Sequence, residues 1–356
     1  MIIYINWNHL AIVNQNKKFI HDVINRVLIA YVDGTHYVVI EPESTKILID
    51  SGLFSGESNA RLQSIGSKYG TRGGVLENKH ASILEVMPDL EAPLECDEKN
   101  KYRIGLRALL SSKYLDQPIL LVEGKEGRIY ELMMEEVRKK NNIGKLVYEI
   151  DIGGGDTTAA NFTSRVDRRR VVVCLGDTDK LTPTGRFGQT LLAILDEAKK
   201  IEKFIGRVCE TPGREVENFI PYEILKRIPL AKGGADRLKI IDRLFERQGG
   251  GIVDDCIWLY YDLKTKIEHA RILDYANDSR SIEWVLRKYH LSDVREINEF
   301  NWPVWGGGIV ENLMKNNSLV KEFCQFVRND KYFEYHFYHW FCGFIFYFAG
   351  EPSNRT

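Results

Sequence analysis

The stretch LLVEGKEGRIYELM, residues 120–133, ends an apolar run on an acid. Pro118, Ile119, Leu120, Leu121 and Val122 lead into Glu123, and the run reads as a strand buried on both faces. Gly124 turns the chain, after which Ile129, Tyr130, Leu132, Met133 and Val137 return at helical spacing. Glu123 thus stands at the carboxyl end of a strand. In open α/β sheets, working residues gather at that edge.

The pattern repeats along the chain. Strands are expected at 118–123, 145–152, 170–175 and 204–209, with helices near 126–140, 156–164 and 185–203. This alternation predicts a parallel sheet with helices on both faces. The third strand runs into VVVCLGDTDKLTPTG, residues 171–185, where Gly176 lets the backbone turn before Asp177 and Asp179. If the first and third strands are neighbours, Glu123, Asp177 and Asp179 meet at one edge. Three carboxylates that close cannot all stay ionised without a cation. All-oxygen ligands select a hard ion, Mg²⁺ or Mn²⁺.

A glutamate-glycine turn after one strand and a D-x-D after a later one resemble the TOPRIM domain of primases, type II and type IA topoisomerases and OLD-like nucleases. Glu123, Asp177 and Asp179 match its three defining acids, while Glu126-Gly127 stands where many members carry an aspartate. ETPGREVENFIPYEIL, residues 210–225, resembles the element that follows the sheet in OLD-like and defence-associated TOPRIM nucleases. LYYDLKTKIEHA, residues 259–270, is similar to their downstream D-L-K element. The resemblance covers residues 118–270. It implies a Rossmann-like TOPRIM sheet and a metal-dependent endonuclease acting on DNA or RNA. Glu123, Asp177 and Asp179 would hold one ion and Glu215 or Glu217 a second, with Lys264 meeting charge that builds on the phosphate. It also implies a separate ATPase partner and a role in antiviral defence.

Other readings stand beside these. Glu215 and Glu217 suit the start of a helix, where its dipole favours acids. Asp262 and Lys264 could form a surface pair. A primase- or topoisomerase-like module would need a zinc module or an active tyrosine domain, and neither is legible. A catalytically inactive TOPRIM subunit would keep the fold as a structural or nucleic-acid-binding part.

The 356 residues divide into an N-terminal α/β domain at 1–112, the TOPRIM-like domain at 113–230 and a helical C-terminal region at 231–356. The first region has strands at Ile2–Ile5 and His36–Ile40, a helix from Lys17 to Ala30, and a glycine- and serine-rich stretch from Ser51 to Gly74. Its opening MIIYINWNHL resembles PIN-like nucleases, with Asn6 where those carry an aspartate. Acidic residues and prolines from Asp89 to Asn100 suit a linker. A net charge of −1 excludes a wholly basic coat protein. Arg165, Arg168, Arg169 and Arg170, with Lys125, Arg128, Lys180 and Arg186, are candidates for a phosphate backbone.

The six cysteines are scattered and point to a reducing, cytoplasmic setting. No G-x-x-x-x-G-K-[S/T] occurs, which excludes a P-loop ATPase, and the histidine spacing does not suggest zinc. Gly153-Gly154-Gly155 could face an anion with their amides, and Asp156 could cap the next helix. Gly249–Gly251 and Gly306–Gly308 read as joints. KYFEYHFYHWFCGFIFYFAG, residues 331–350, has only ten uninterrupted apolar residues from Trp340 to Ala349. A bilayer span needs roughly 20. The segment is expected to close a core, against the helices of 231–310 or a second copy in a homo-oligomer, and to keep Lys264 facing the site.

Overall fold

The computed structural model describes residues 1–8, 16–89, 91–98, 100–201, 204–229, 239, 242, 256–265, 279–299 and 304–351. Gly249–Gly251 and most of the helical region expected between 231 and 278 lie outside the described residues. Among the described residues the chain is mixed α/β, with two larger sheets that fall on either side of residue 112 and one two-stranded sheet.

The first sheet contains β1 (Ile2–Ile5), β2 (Tyr37–Ile40), β3 (Ile83–Val86), β4 (Glu95–Glu98) and β5 (Lys101–Ile104), in the order β2-β1-β3-β5-β4. All neighbours are parallel except β4 and β5. Helix α1 (Lys17–Asp33) buries Ile20, Val23, Ile24 and Val27 at three- and four-residue spacing. It ends at Gly34, whose φ of 68° is the left-handed conformation glycine adopts without penalty. Two expectations change here. The stretch Asp89–Asn100 holds β4 rather than acting only as a linker, because an edge strand tolerates charge on its solvent side. The glycine- and serine-rich stretch forms a helix over Gly56–Ser67, started by Ser55, whose hydroxyl accepts from the Ser58 amide.

The second sheet contains β6 (Ile119–Val122), β8 (Glu149–Ile152), β9 (Val172–Gly176) and β10 (Gly206–Glu210), all parallel, in the order β10-β9-β6-β8. The strand expected over 145–152 is split. Its first part, β7 (Lys145–Leu146), leaves the sheet to pair antiparallel with β11 (Ala349–Gly350). Helices α2 (Gly127–Lys140), α3 (Thr158–Asp167) and α4 (Gln189–Ala198) alternate with the strands. Ile119, Leu121, Val172 and Cys174 pack with Phe162 and Val166 of α3 and Ile194 of α4. The alternate residues Leu120, Val122, Val173 and Leu175 belong to the larger core that includes Ile129, Met133 and Val137 of α2. The period of two therefore feeds both faces, and both are covered.

The aromatic segment fills the seam between the sheets. It runs through short helical turns (Lys331–Phe333, Glu334–Tyr338, His339–Cys342, Ile345–Phe348) into β11. Phe337, Phe341, Phe344, Phe346 and Phe348 are fully buried. Phe219 contacts Phe337 at 4.3 Å and Trp340 at 5.6 Å between ring centres. Phe204 touches Tyr102 of β5 at 4.7 Å and Tyr347 at 6.3 Å. The Met1 nitrogen donates to the carbonyls of Tyr347 and Ala349 at 2.9 and 2.7 Å. The segment does close a core: Trp340 packs on Tyr130 of α2, Phe348 on Tyr148, and Tyr332 lines one cleft with Trp258 from the expected 231–310 region. Among the described residues, no helix is long and apolar enough to cross a membrane. The six cysteines are free thiols, with Cys174, Cys209, Cys256 and Cys342 buried.

Candidate metal centre

Strands β6 and β9 are neighbours. Val122 pairs with Leu175, so the residues that leave these strands, Glu123 and Asp177, emerge side by side. The Asp177 amide donates to Glu123 Oε1 at 3.3 Å. Gly176 stays in β9, paired with Glu210, rather than turning the chain, and a side chain there would collide with Leu191. The triple glycine takes a role other than anion binding: Gly153 N donates to Val122 O at 2.7 Å and Gly154 N to Glu123 O at 2.9 Å. Those amides are used to fix the backbone under Glu123. Gly154 and Gly155 have φ of 82° and 63°, which the tight loop requires. Asp156 is not a helix cap, since α3 starts two residues later behind Thr157.

The D-T-D turn is knitted to residues 211–214. Thr178 Oγ1 donates to Gly213 O, the Thr178 amide donates to Thr211 Oγ1 at 3.2 Å, and the Asp179 amide donates to Arg214 O at 2.9 Å. Asp179 has a φ of 56°, its carboxylate lies against Gly188, and Arg214 stands 3.8 Å from it. A methyl at position 188 would strike that carboxylate.

Glu215 and Glu217 arrive from the next element, a short helical turn over Val216–Phe219. Asn218, fully buried, accepts the Glu215 amide at 3.0 Å. Its side-chain amide donates to Trp258 O at 2.7 Å and Tyr261 O at 3.0 Å. The turn is thereby stapled to the segment carrying Asp262 and Lys264. Asp262 is buried and pairs with Arg214 at 2.9 Å. It also accepts from the Lys264 amide at 3.1 Å and the Thr265 amide at 2.7 Å. The surface-pair reading of Asp262 and Lys264 is therefore corrected: Asp262 shapes the turn, and the Lys264 side chain goes elsewhere. Its ammonium lies 3.1 Å from Glu215 Oε2 and 2.9 Å from Glu217 Oε1.

The charges do not balance. Burial, then Asp179, pushes Glu123 up to about 7. Burial, then Glu217, pushes Glu215 up to about 7 against the pull of Lys264. Burial, then Glu123, Glu217 and Glu215, raises Asp177 well above the carboxylate range. Burial raises Glu217 as well, opposed by Lys264. Lys264 is raised because Glu215 and Glu217 outweigh its own desolvation. Beneath the cluster, the buried Tyr130 phenol is pushed up by burial and by Asp177, Glu217 and Glu123. Glu215 Oε1 and Glu217 Oε2 are buried and accept no hydrogen bond.

Among the described residues, no three His, Cys, Asp or Glu side chains converge closely enough to enclose an ion as they stand. Two orphaned buried carboxylate oxygens, an all-oxygen donor set and surplus negative charge fit a hard divalent ion.

Not every basic candidate serves this edge. Arg165 pairs with Asp151 at 2.7 Å, Arg170 pairs with Glu149 at 2.8 Å, and Arg169 donates to Ser111. Arg168–Arg170 precede β9 and so stand at the opposite end of the sheet from Asp177. Lys125, Lys180 and Arg186 follow the acidic turns and remain on the carboxyl side. Arg214, Asn218 and Tyr130 were given no role from the sequence. The one available signal was Asn218, three residues after Glu215, as in a capping box.

Asn218→Ala would strand two buried carbonyls, so it should cost about 2 kcal/mol or more. A urea midpoint lowered with an unchanged denaturant slope is the expected record. An unchanged midpoint would show that the staple between the two elements carries no stability.

Comparison with known protein families, with curated proteins and with solved structures gives no match.

Proposed function

We propose that the chain is a Mg²⁺- or Mn²⁺-dependent phosphodiesterase with a TOPRIM-like core, an endonuclease acting on DNA or RNA. The observation that carries this reading is the adjacency of β6 and β9, which brings Glu123 and Asp177 to one sheet edge beside Glu215 and Glu217. Glu123, Asp177 and Asp179 would hold one ion, and Glu215 and Glu217 would hold a second through the oxygens that lack a partner. Such ions stabilise both the attacking and the leaving oxygen of an in-line displacement. The chain's own work is preorganisation. Asn218, Arg214 and Asp262 hold the acids and Lys264 in a buried frame, so little reorganisation remains when charge develops. By the same resemblance, a separate ATPase partner and a toxic effector role in phage defence belong to this proposal.

The test is direct. Supercoiled DNA and single-stranded RNA are incubated with the protein in Mn²⁺, Mg²⁺ or EDTA, alongside Glu123→Gln. Cleavage that needs the ion and disappears in the variant supports the nuclease. A second reading, a non-catalytic nucleic-acid-binding subunit, draws on Lys264 already neutralising Glu215 and Glu217. Binding without cleavage under every ion would select it.

A further inference from the structure

Lys264 stands where a cation is needed. Its ammonium sits within 3.1 Å of Glu215 Oε2 and 2.9 Å of Glu217 Oε1, two glutamates whose side chains are almost fully buried. A divalent ion at these glutamates would have to draw on the same two carboxylates, whose other oxygens, Glu215 Oε1 and Glu217 Oε2, have no hydrogen bond. An ammonium and a dication packed together between two carboxylates repel strongly in a partly desolvated site. The lysine has somewhere to go. About a third of its side chain is open to solvent, while its backbone is fixed by Asp262, so the side chain can swing without disturbing the turn.

We propose that Lys264 is the resident cation of the Glu215–Glu217 site, competing with the metal ion and displaced from the glutamates when the ion binds. This rests on the metal-centre reading and adds its regulation. Without an ion, Lys264 keeps the two glutamates apart from mutual repulsion and holds the site assembled. On metal entry the ammonium turns outward to the open side of the cluster. The site thereby exchanges one cation for another instead of assembling from loose acids.

The test measures metal binding, with no turnover involved. Mn²⁺ is titrated into the full chain by calorimetry for wild type, Lys264→Met and Lys264→Arg. Competition predicts that Lys264→Met binds Mn²⁺ at least about tenfold more tightly, and that Lys264→Arg stays near wild type. A lysine that only meets the substrate would leave Mn²⁺ affinity unchanged on substitution, and that result overturns the proposal. Amine labelling of the wild-type chain, read by peptide mass spectrometry, gives a check that does not depend on a variant folding. Saturating Mn²⁺ should make Lys264 more reactive and leave Lys226 as it was. Protection of Lys264 by Mn²⁺ would also overturn the displacement. If the wild-type chain and both variants bind no Mn²⁺, the metal centre itself fails, and the displacement falls with it. Tight binding with an indifferent Lys264 removes only this inference.

Discussion

Asp177→Asn should lower metal-dependent cleavage by at least about 10³-fold, the scale on which removing a preorganised charged group acts. The same variant should leave the metal-free fold intact or firmer. Asp177 is raised by burial and by Glu123, Glu217 and Glu215, so folding works against its ionised form. The neutral amide removes that repulsion and keeps the shape. Loss of cleavage together with an equal or higher thermal midpoint in EDTA is the expected pair of results. Cleavage at the wild-type rate would place the reacting centre elsewhere.

Glu123 gives a pH signature of the same repulsion. Its carboxyl is pushed up to about 7 in the folded chain, mainly by burial, from an ordinary value of 4.5. The folded state then holds a proton more tightly than the unfolded one. The stability this supplies is complete below about 4.5 and is lost as pH rises through about 7. His36 tilts the other way. Fully buried, its imidazole is pushed down to about 3, so stability is lost as pH falls below 6.5. The difference between wild type and Glu123→Gln isolates the site. In EDTA that difference should move in favour of the variant between pH 5 and 7. Saturating Mn²⁺ should reverse it, because the ion favours the carboxylate. A difference that stays level across the range would remove Glu123 from the charged cluster.

The second sheet was legible because its two central strands, β6 and β9, are unbroken apolar runs closed by an acid or a glycine, and each helix shows its own period. Glu123, Asp177 and Asp179 were legible as strand-end acids. Their meeting was conditional on β6 and β9 being neighbours, since strand order leaves no trace in local composition. The break between β7 and β8 was hidden for a related reason: Lys145–Leu146 leaves the sheet for a partner two hundred residues away, at Ala349–Gly350. β4 was missed because edge strands look like charged loops. Gly153–Gly155 looked like a phosphate loop because glycine allows both uses, and only the hydrogen bonds to Val122 and Glu123 decide between them. Asn218 joins carbonyls of Trp258 and Tyr261, and no periodic pattern reports so distant a staple. The direction of Lys264 depends on how Asp262 is held, which the D-L-K spelling leaves open.

Phe219→Ala should cost about 3–5 kcal/mol, the range for emptying a buried aromatic site. Phe219 follows Glu217 and Asn218 directly, and its ring is fully buried against Phe337, Trp340, Phe341 and Tyr130. It therefore ties the carboxylate-bearing turn to the aromatic seam. Removing the ring leaves a cavity under Glu217 that the surrounding rings cannot easily refill, because Phe333, Phe337 and Phe341 already pack on one another. Phe219→Leu should retain more than half of the lost stability, since it keeps most of the apolar volume. Urea midpoints of the two variants separate these outcomes, and Mn²⁺ affinity follows whether the turn has moved. Deleting the chain from Lys331 onward removes Phe337, Trp340 and Phe341 from around Phe219, together with β11, and should leave an aggregating protein with every proposed ligand still present. A Phe219→Ala protein within 1 kcal/mol of wild type, or a soluble truncation with normal Mn²⁺ binding, would mean that the seam does not support the site. The expected result is instead that stability and metal binding fall together, since the turn bearing Glu215 and Glu217 rests on this packing.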